Sequence, residues 1–171
     1  YAEQTSINYV RNSIKVVIDA YNGDVSYYIV DDKDPIAQTL ANIYPDLFKS
    51  YEEMPESLRA HIRYPDTLLA IQSQVYAKYH MTDVNVFYQN EDGWSIATEI
   101  YGTEEALMTP KYYIMKLPGE EKAEFISSVP YTPSGKYNMT ALFVARSDAP
   151  NYGDLILYQL PKDRIIYGPR Q

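Results

Sequence analysis

Two histidines, His61 and His80, stand nineteen positions apart in a chain of 171 residues. Neither belongs to a His-Glu-x-x-His motif or another i, i+4 pair, so no helix face offers two imidazoles to a metal. Asp31, Asp32 and Asp34 crowd together but lack the spacing and the closing Glu of a calcium loop. They read as a solvated turn and a helix cap, and no metal site is expected. The absence of cysteine removes a thiolate nucleophile, a disulfide framework and a cysteine-based zinc site. No Gly-x-Ser-x-Gly elbow occurs, and Ser134, in Thr-Pro-Ser-Gly-Lys, reads as loop between strands. No Gly-x-Gly-x-x-Gly or P-loop is present, so no cofactor is expected.

Two groupings remain. Glu91, Asp92, Glu99, Glu104 and Glu105 lie near Trp94 and Tyr101. Paired carboxylates around an aromatic floor are what glycoside hydrolysis needs. Exposed turn acids are the ordinary reading, and a glycan-directed hydrolase or carbohydrate-binding module is the alternative. The second grouping is a ligand-binding candidate: Arg63, Tyr64, Tyr79, His80 and Trp94. Arg63 and His80 bracket one predicted helix, so a shared pocket needs other parts of the fold to span it. The plainer role for His80 is in the last helical turn, where an imidazolium complements the C-terminal dipole. No catalytic residue is assigned.

The elements that must position these groups read as α+β. Ile14–Ala20 and Val25–Val30 are β-branched and aromatic, and Asn22-Gly23 between them suits a tight type I′ hairpin. Asp34-Pro35 starts a helix with Ile36, Leu40 and Ile43 at helical spacing, ended by Pro45. Leu47 and Phe48 look like buried plugs in the loop that follows. Pro55 starts a short helix to about Ile62. Pro65 starts a third to about His80, with an apolar stripe of Leu68, Ile71, Val75 and Tyr79 flanked by Leu69 and Tyr76.

Val84–Tyr88 alternates like a strand, Asn90–Gly93 turns, Trp94–Ile96 is a short strand and Tyr101–Leu107 is loop. Lys111–Leu117 with Glu124–Tyr131, and Asn138–Ser147 with Asp154–Leu160, form two more hairpins before a last strand at Ile165–Tyr167. The fold class is therefore α+β, mainly antiparallel sheet built from hairpins, with about three helices inserted after the first hairpin. Helices should cover one sheet face and tyrosines the other.

Composition bounds the function. With 46% hydrophobic residues the chain can fill a core, and its length fits a single soluble domain over 1–171. Fifteen basic against 23 acidic residues, net charge -8, argue against nucleic acid and anionic lipid as partners. No stretch of ~20 apolar residues is present to span a bilayer. Nineteen tyrosines suit half-buried sheets and wet interfaces. The start at Tyr1 without Met, and the stop just after Arg164–Tyr167, suggest a piece of a longer protein.

The stretch from Arg63 to Trp94, with RYPDTL, YHMTD and FYQNEDGW, resembles a bacterial integral-membrane family catalogued as uncharacterised protein family 0182. Asn8–Val17, the DAYNGDV hairpin, Met54–His61, Leu117–Glu121, Pro130–Pro133, Ala145–Ser147, Asn151–Gly153 and Tyr167–Pro169 extend the resemblance along the chain. It implies a large parent with several N-terminal transmembrane helices, of which this piece is the first part of the extracytoplasmic region. The parent then lies in the cell membrane, and the remainder of that parent is the first expected partner, with another protein or a glycan next. The resemblance supplies no catalytic residue or cofactor. At Ser134 the sequence departs from relatives that carry a basic residue nearby, which weakens a serine nucleophile further. The reading that results is an interaction or ligand-recognition domain without catalysis.

Overall fold

A computed structural model describes residues 9–171 of the chain. Asn8, the first residue of one resemblance motif, lies outside them. The chain divides into two compact units, the first ending at Ile62 and the second running Arg63–Gln171. The class is α+β as expected, with mostly antiparallel strands from hairpins and, among the described residues, four helices.

The first unit holds a three-stranded sheet of β1 (Ile14–Ile18), β2 (Val25–Ile29) and β3 (Phe48–Ser50). β1 and β2 pair antiparallel, whereas β3 joins β2 in parallel. The β1–β2 connection is wider than the predicted type I′ turn. Asp19 N–H reaches Asp24 O at 2.9 Å, the Asp19 carboxylate takes Tyr21 N–H, and Asn22 Oδ1 takes Asp24 N–H. These side-chain bonds compete with a two-residue turn, and only Gly23 adopts positive φ.

α1 (Pro35–Ile43) is capped as the sequence predicts. Asp34 accepts Ile36 N–H at 3.0 Å, Ser13 Oγ–H at 2.5 Å and Tyr9 O–H at 2.7 Å. The helix buries Ala37, while Ile36 and Ile43 stay exposed. Leu47 is exposed and Phe48 half-buried in β3, so neither is a loop plug. A 3-10 turn, Tyr51–Glu53, and α2 (Glu56–Arg59) complete the unit.

The second unit is a five-stranded sheet. The long strand β8 (Ala123–Pro133) pairs with β9 (Ala141–Arg146), and β9 with β10 (Leu155–Gln159). On its other edge β8 pairs with β7 (Lys111–Lys116) along its first half and β4 (Trp94–Ile96) at its end. α3 (Asp66–Tyr79) packs on one face, over Val129, Tyr131, Phe143 and Ala145. The opposite face gathers Ile126, Val144 and Leu117 with Leu142, Ile156 and Tyr158. Burial on both faces makes β8 continuously buried from Ile126 to Thr132 rather than alternating, with Ser127, Ser128 and Thr132 among the buried residues.

α3 buries only part of its predicted stripe, through Leu68, Ile71 and the flanking Leu69 and Tyr76. Leu69, Ser73 and Ala77 point into the core, while Val75 and Tyr79 are 53% and 65% exposed. Close approach explains this. Tyr131 O–H donates to the Ser73 carbonyl at 2.7 Å, a contact that small residues on the facing side of the helix permit.

Three further expectations need correction. Val84–Tyr88 is not a strand but part of α4 (Val84–Gln89). Asp83 caps it through Asn85 and Val86 N–H, and Asn90, at φ +52°, ends it in the left-handed region. Tyr101–Leu107 is not loop: β5 (Thr98–Tyr101) and β6 (Glu104–Leu107) form a hairpin, with Gly102 at φ +67° where a type II′ turn requires it. Ile165–Tyr167 forms no strand, although Ile166 O accepts Met139 N–H. Tyrosines divide between core and surface rather than keeping to one face. Tyr28, Tyr64 and Tyr131 are buried, and Tyr21, Tyr88 and Tyr101 are exposed.

Candidate functional site

α3 places the predicted ligand-binding residues at its two ends. At its start, Arg63 lies over the Tyr112 ring at 5.1 Å. Tyr64 is buried there, its N–H donated to Ser147 Oγ and its O–H to Gln72 Oε1. Tyr112 O–H in turn donates to Tyr64 O at 2.6 Å. Burial pushes the Tyr64 phenol above its ordinary value, against the opposing bond to Gln72. Burial also raises Tyr112, with Asp66 adding to the effect and Arg63 opposing it. These phenols therefore stay protonated and hold the helix start to the sheet.

At the other end, His80 caps the last turn of α3 and stacks on Trp94, with ring centroids 3.7 Å apart and 16° between planes. Its Nδ1 lies 3.3 Å from Tyr76 O and its Nε2 3.0 Å from Asp92 O. Both nitrogens thus face backbone carbonyls of the protein itself. Trp94 is 8% exposed and also meets Tyr131, with ring centroids 5.5 Å apart. Tyr79 is exposed and packs on Phe87 instead.

His80 and Trp94 line a cleft of about 350 Å³ with Asp83, Asp92, Thr140 and Lys162. A neighbouring cleft of about 430 Å³ shares Asp92, Thr140 and Lys162 and adds Lys136 and Arg164. The structure thus brings together His80 and Trp94, and separates them from Arg63 and Tyr64. Thr140 and Lys162 were not singled out from sequence. Leu160 N–H donates to Thr140 O, which continues the β9–β10 pairing past Gln159 and Ala141 and leaves Lys162 two residues beyond it.

The five carboxylates considered for glycoside chemistry fall in two places. Glu91 and Asp92 sit in the α4–β4 turn beside the clefts. Glu99, Glu104 and Glu105 lie on the β5–β6 hairpin, where Glu99 pairs with Lys111 and Glu105 with Arg170. Ser134 lies in the β8–β9 loop with its Oγ 3.4 Å from Ser95 Oγ. Among the described residues no three His, Asp or Glu side chains converge as metal ligands. The clefts present mixed charge, with Asp92 beside Lys136, Lys162 and Arg164.

The family model described as Uncharacterised protein family (UPF0182) matches residues 1–171. The chain belongs to this family. A UPF0182 protein of Moorella thermoacetica is 56% identical over 173 residues, covering 100% of this chain and 19% of the relative. One from Alkaliphilus metalliredigens is 58% identical over 164 residues, covering 96% of this chain and 18% of the relative. One from Methanospirillum hungatei is 50% identical over 166 residues, covering 97% and 18%. The chain thus spans about a fifth of the length of the UPF0182 relatives it matches. No solved structure matches it. Among the described residues no helix is long and apolar enough to cross a membrane.

Proposed function

We propose that the chain is an extracytoplasmic part of a UPF0182 membrane protein and serves interaction or ligand recognition without catalysis. One observation carries the reading: large apolar and tyrosine side chains stand in water on elements that are otherwise well formed. Ile100, Tyr101 and Leu107 project from the β5–β6 hairpin, and Tyr113 and Ile114 from β7 next to it in sequence. Exposed apolar side chains on formed strands support an interaction role. By contrast, the groups first considered for chemistry are held by backbone bonds, ion pairs or packing.

A glycan remains the alternative ligand. Trp94 is a poor platform for it, because His80 covers one ring face and the residue is almost wholly buried. A sugar would have to stack on exposed tyrosines such as Tyr88 or Tyr101. The location is tested in intact cells by a membrane-impermeant maleimide on Lys122→Cys of the full-length protein. Labelling without permeabilisation is expected; labelling only after it would contradict the extracytoplasmic reading. Tyr101→Ser in the same protein is expected to weaken partner capture while leaving expression unchanged.

A further inference from the structure

We propose that the open face of the first unit's sheet is a docking surface for a further segment of the same, longer polypeptide, an inference that rests on reading the chain as part of a larger protein. In β1 and β2 the directly opposed pairs are Ile14–Ile29, Val16–Tyr27 and Ile18–Val25, and Tyr27 lies opposite Phe48 of β3. Opposed residues share a sheet face, so one face is apolar except for Ser50, which lies opposite Ile29 at its edge. Its partner face carries Lys15, Tyr28 and Lys49 in one row and Val17 and Ser26 in the next. At one end of the apolar face Ile29 and Phe48 line a cleft of about 470 Å³ with Ala41 of α1. At the other end Val16, Ile18 and Val25 are 51%, 64% and 45% exposed. A two-layer unit ordinarily turns its alternating apolar face inward. Here it faces water at one end, and such a patch marks a contact surface.

The charge at the rim decides among occupants. The β1–β2 turn carries Asp19 and Asp24, and the whole chain is at -8. An anionic lipid surface is repelled by that rim. A segment of the same polypeptide is favoured by supply: the matched stretch makes up 19% and 18% of two relatives. A tethered segment acts at an effective concentration of order millimolar, whatever the protein concentration. The occupant's chemistry follows from the surface. It is an amphipathic strand or helix with aliphatic and aromatic side chains on one side and Lys or Arg toward Asp19 and Asp24.

The chain has no cysteine, which gives a direct test in the full-length protein. With any cysteines elsewhere replaced, Val16→Cys, Ile18→Cys and the exposed control Lys33→Cys are each treated with maleimide, native and denatured. Lys33→Cys is expected to label natively; Val16→Cys and Ile18→Cys are expected to label at least tenfold more slowly than the control until denatured. Equal native rates at the three positions would overturn the proposal. A photo-crosslinker at Ile18 identifies the occupant. A crosslink to a part of the same polypeptide outside these 171 residues supports the proposal; one to residues 63–171, a second copy, a lipid or another protein overturns it. The extracytoplasmic reading fails separately, since it depends on whether Lys122→Cys labels in intact cells and not on the protection of Val16 or Ile18.

Discussion

The two units build sheets from similar β-branched and aromatic strands, yet close them differently. In the second, α3 covers one face of β8 and β9 while Leu117 and the side chains around it cover the other, so strand residues from Ile126 to Thr132 are buried. In the first, α1 turns Ala37 inward and leaves Ile36 and Ile43 exposed, and the sheet keeps Val16, Ile18 and Val25 in water. The difference teaches that an apolar face is not evidence of a core. It becomes one only when another element is present to meet it.

The contrast can be broken most strongly inside the second unit. Leu69 is fully buried against the sheet. Leu69→Ala is expected to destabilise by about 2–5 kcal/mol, from lost transfer energy and the cavity left behind. Ile18→Ala in the first unit should change stability by less than about 0.5 kcal/mol in the 171-residue chain, as at ordinary surface sites. Chemical denaturation of the two variants checks both; similar losses would erase the contrast. Next comes Arg146, buried on β9 and paired with Glu124 and, at 2.9 Å, with Glu120. Glu124 lifts the guanidinium above its ordinary value, and Glu120 adds to this, so it is charged at every working pH. Arg146→Met leaves those carboxylates without their cation and should cost about 2–3 kcal/mol. Restored stability on adding Glu124→Gln would show that the stranded charge carries the loss.

Asp34 gives the first unit its own pH signature. The Ser13 hydroxyl, then the Tyr9 hydroxyl, hold its carboxyl below the ordinary range. A depressed folded value means that the stabilisation is present above the unfolded value, near 4, and is lost as pH falls through the folded one. Acid should therefore loosen α1 below about pH 4, and Asp34→Asn should be less stable at neutral pH but nearly insensitive to that acid step. Circular dichroism across pH 2–6 checks this; an unchanged acid transition in the variant would contradict it. The smallest effect is spectroscopic. His80→Ala uncovers the only tryptophan in the chain, and Trp94 emission should brighten and shift to the red. Unchanged emission would mean that the stacked pair does not persist in solution.

Signals that span a few residues were legible in the sequence. Asp34-Pro35 announces α1, and the hairpins β7–β8 and β9–β10 follow from their apolar runs and the Pro-Gly turn and Asp-Ala-Pro-Asn-Tyr-Gly loop between them. The misreadings have physical causes. Val84–Tyr88 carries β-propensity in period two, but Asp83 and Asn90 cap it as a helix six residues long. Gly102-Thr103 held the turn signal that the loop reading of Tyr101–Leu107 passed over. In α3 the apolar stripe was weighted by hydrophobicity, whereas close packing against Tyr131 selected the small residues Ser73 and Ala77. At the candidate site, His80 and Trp94 were legible only as members of a wider grouping with Arg63, Tyr64 and Tyr79, and their stacking across the α4 segment was not. Thr140 and Lys162 join them only through sheet registry across some sixty residues of sequence, which local pattern cannot see.

The central claim is that the second unit carries its own core and the first completes its core with chain from outside. Amide hydrogen exchange compares the 171-residue chain with the full-length protein most directly. Strand β8 should be protected to the same degree in both, while Ile14–Ile18 and Val25–Ile29 gain protection of at least tenfold in the full-length protein. Equal protection of β1 and β2 in the two forms would contradict the claim.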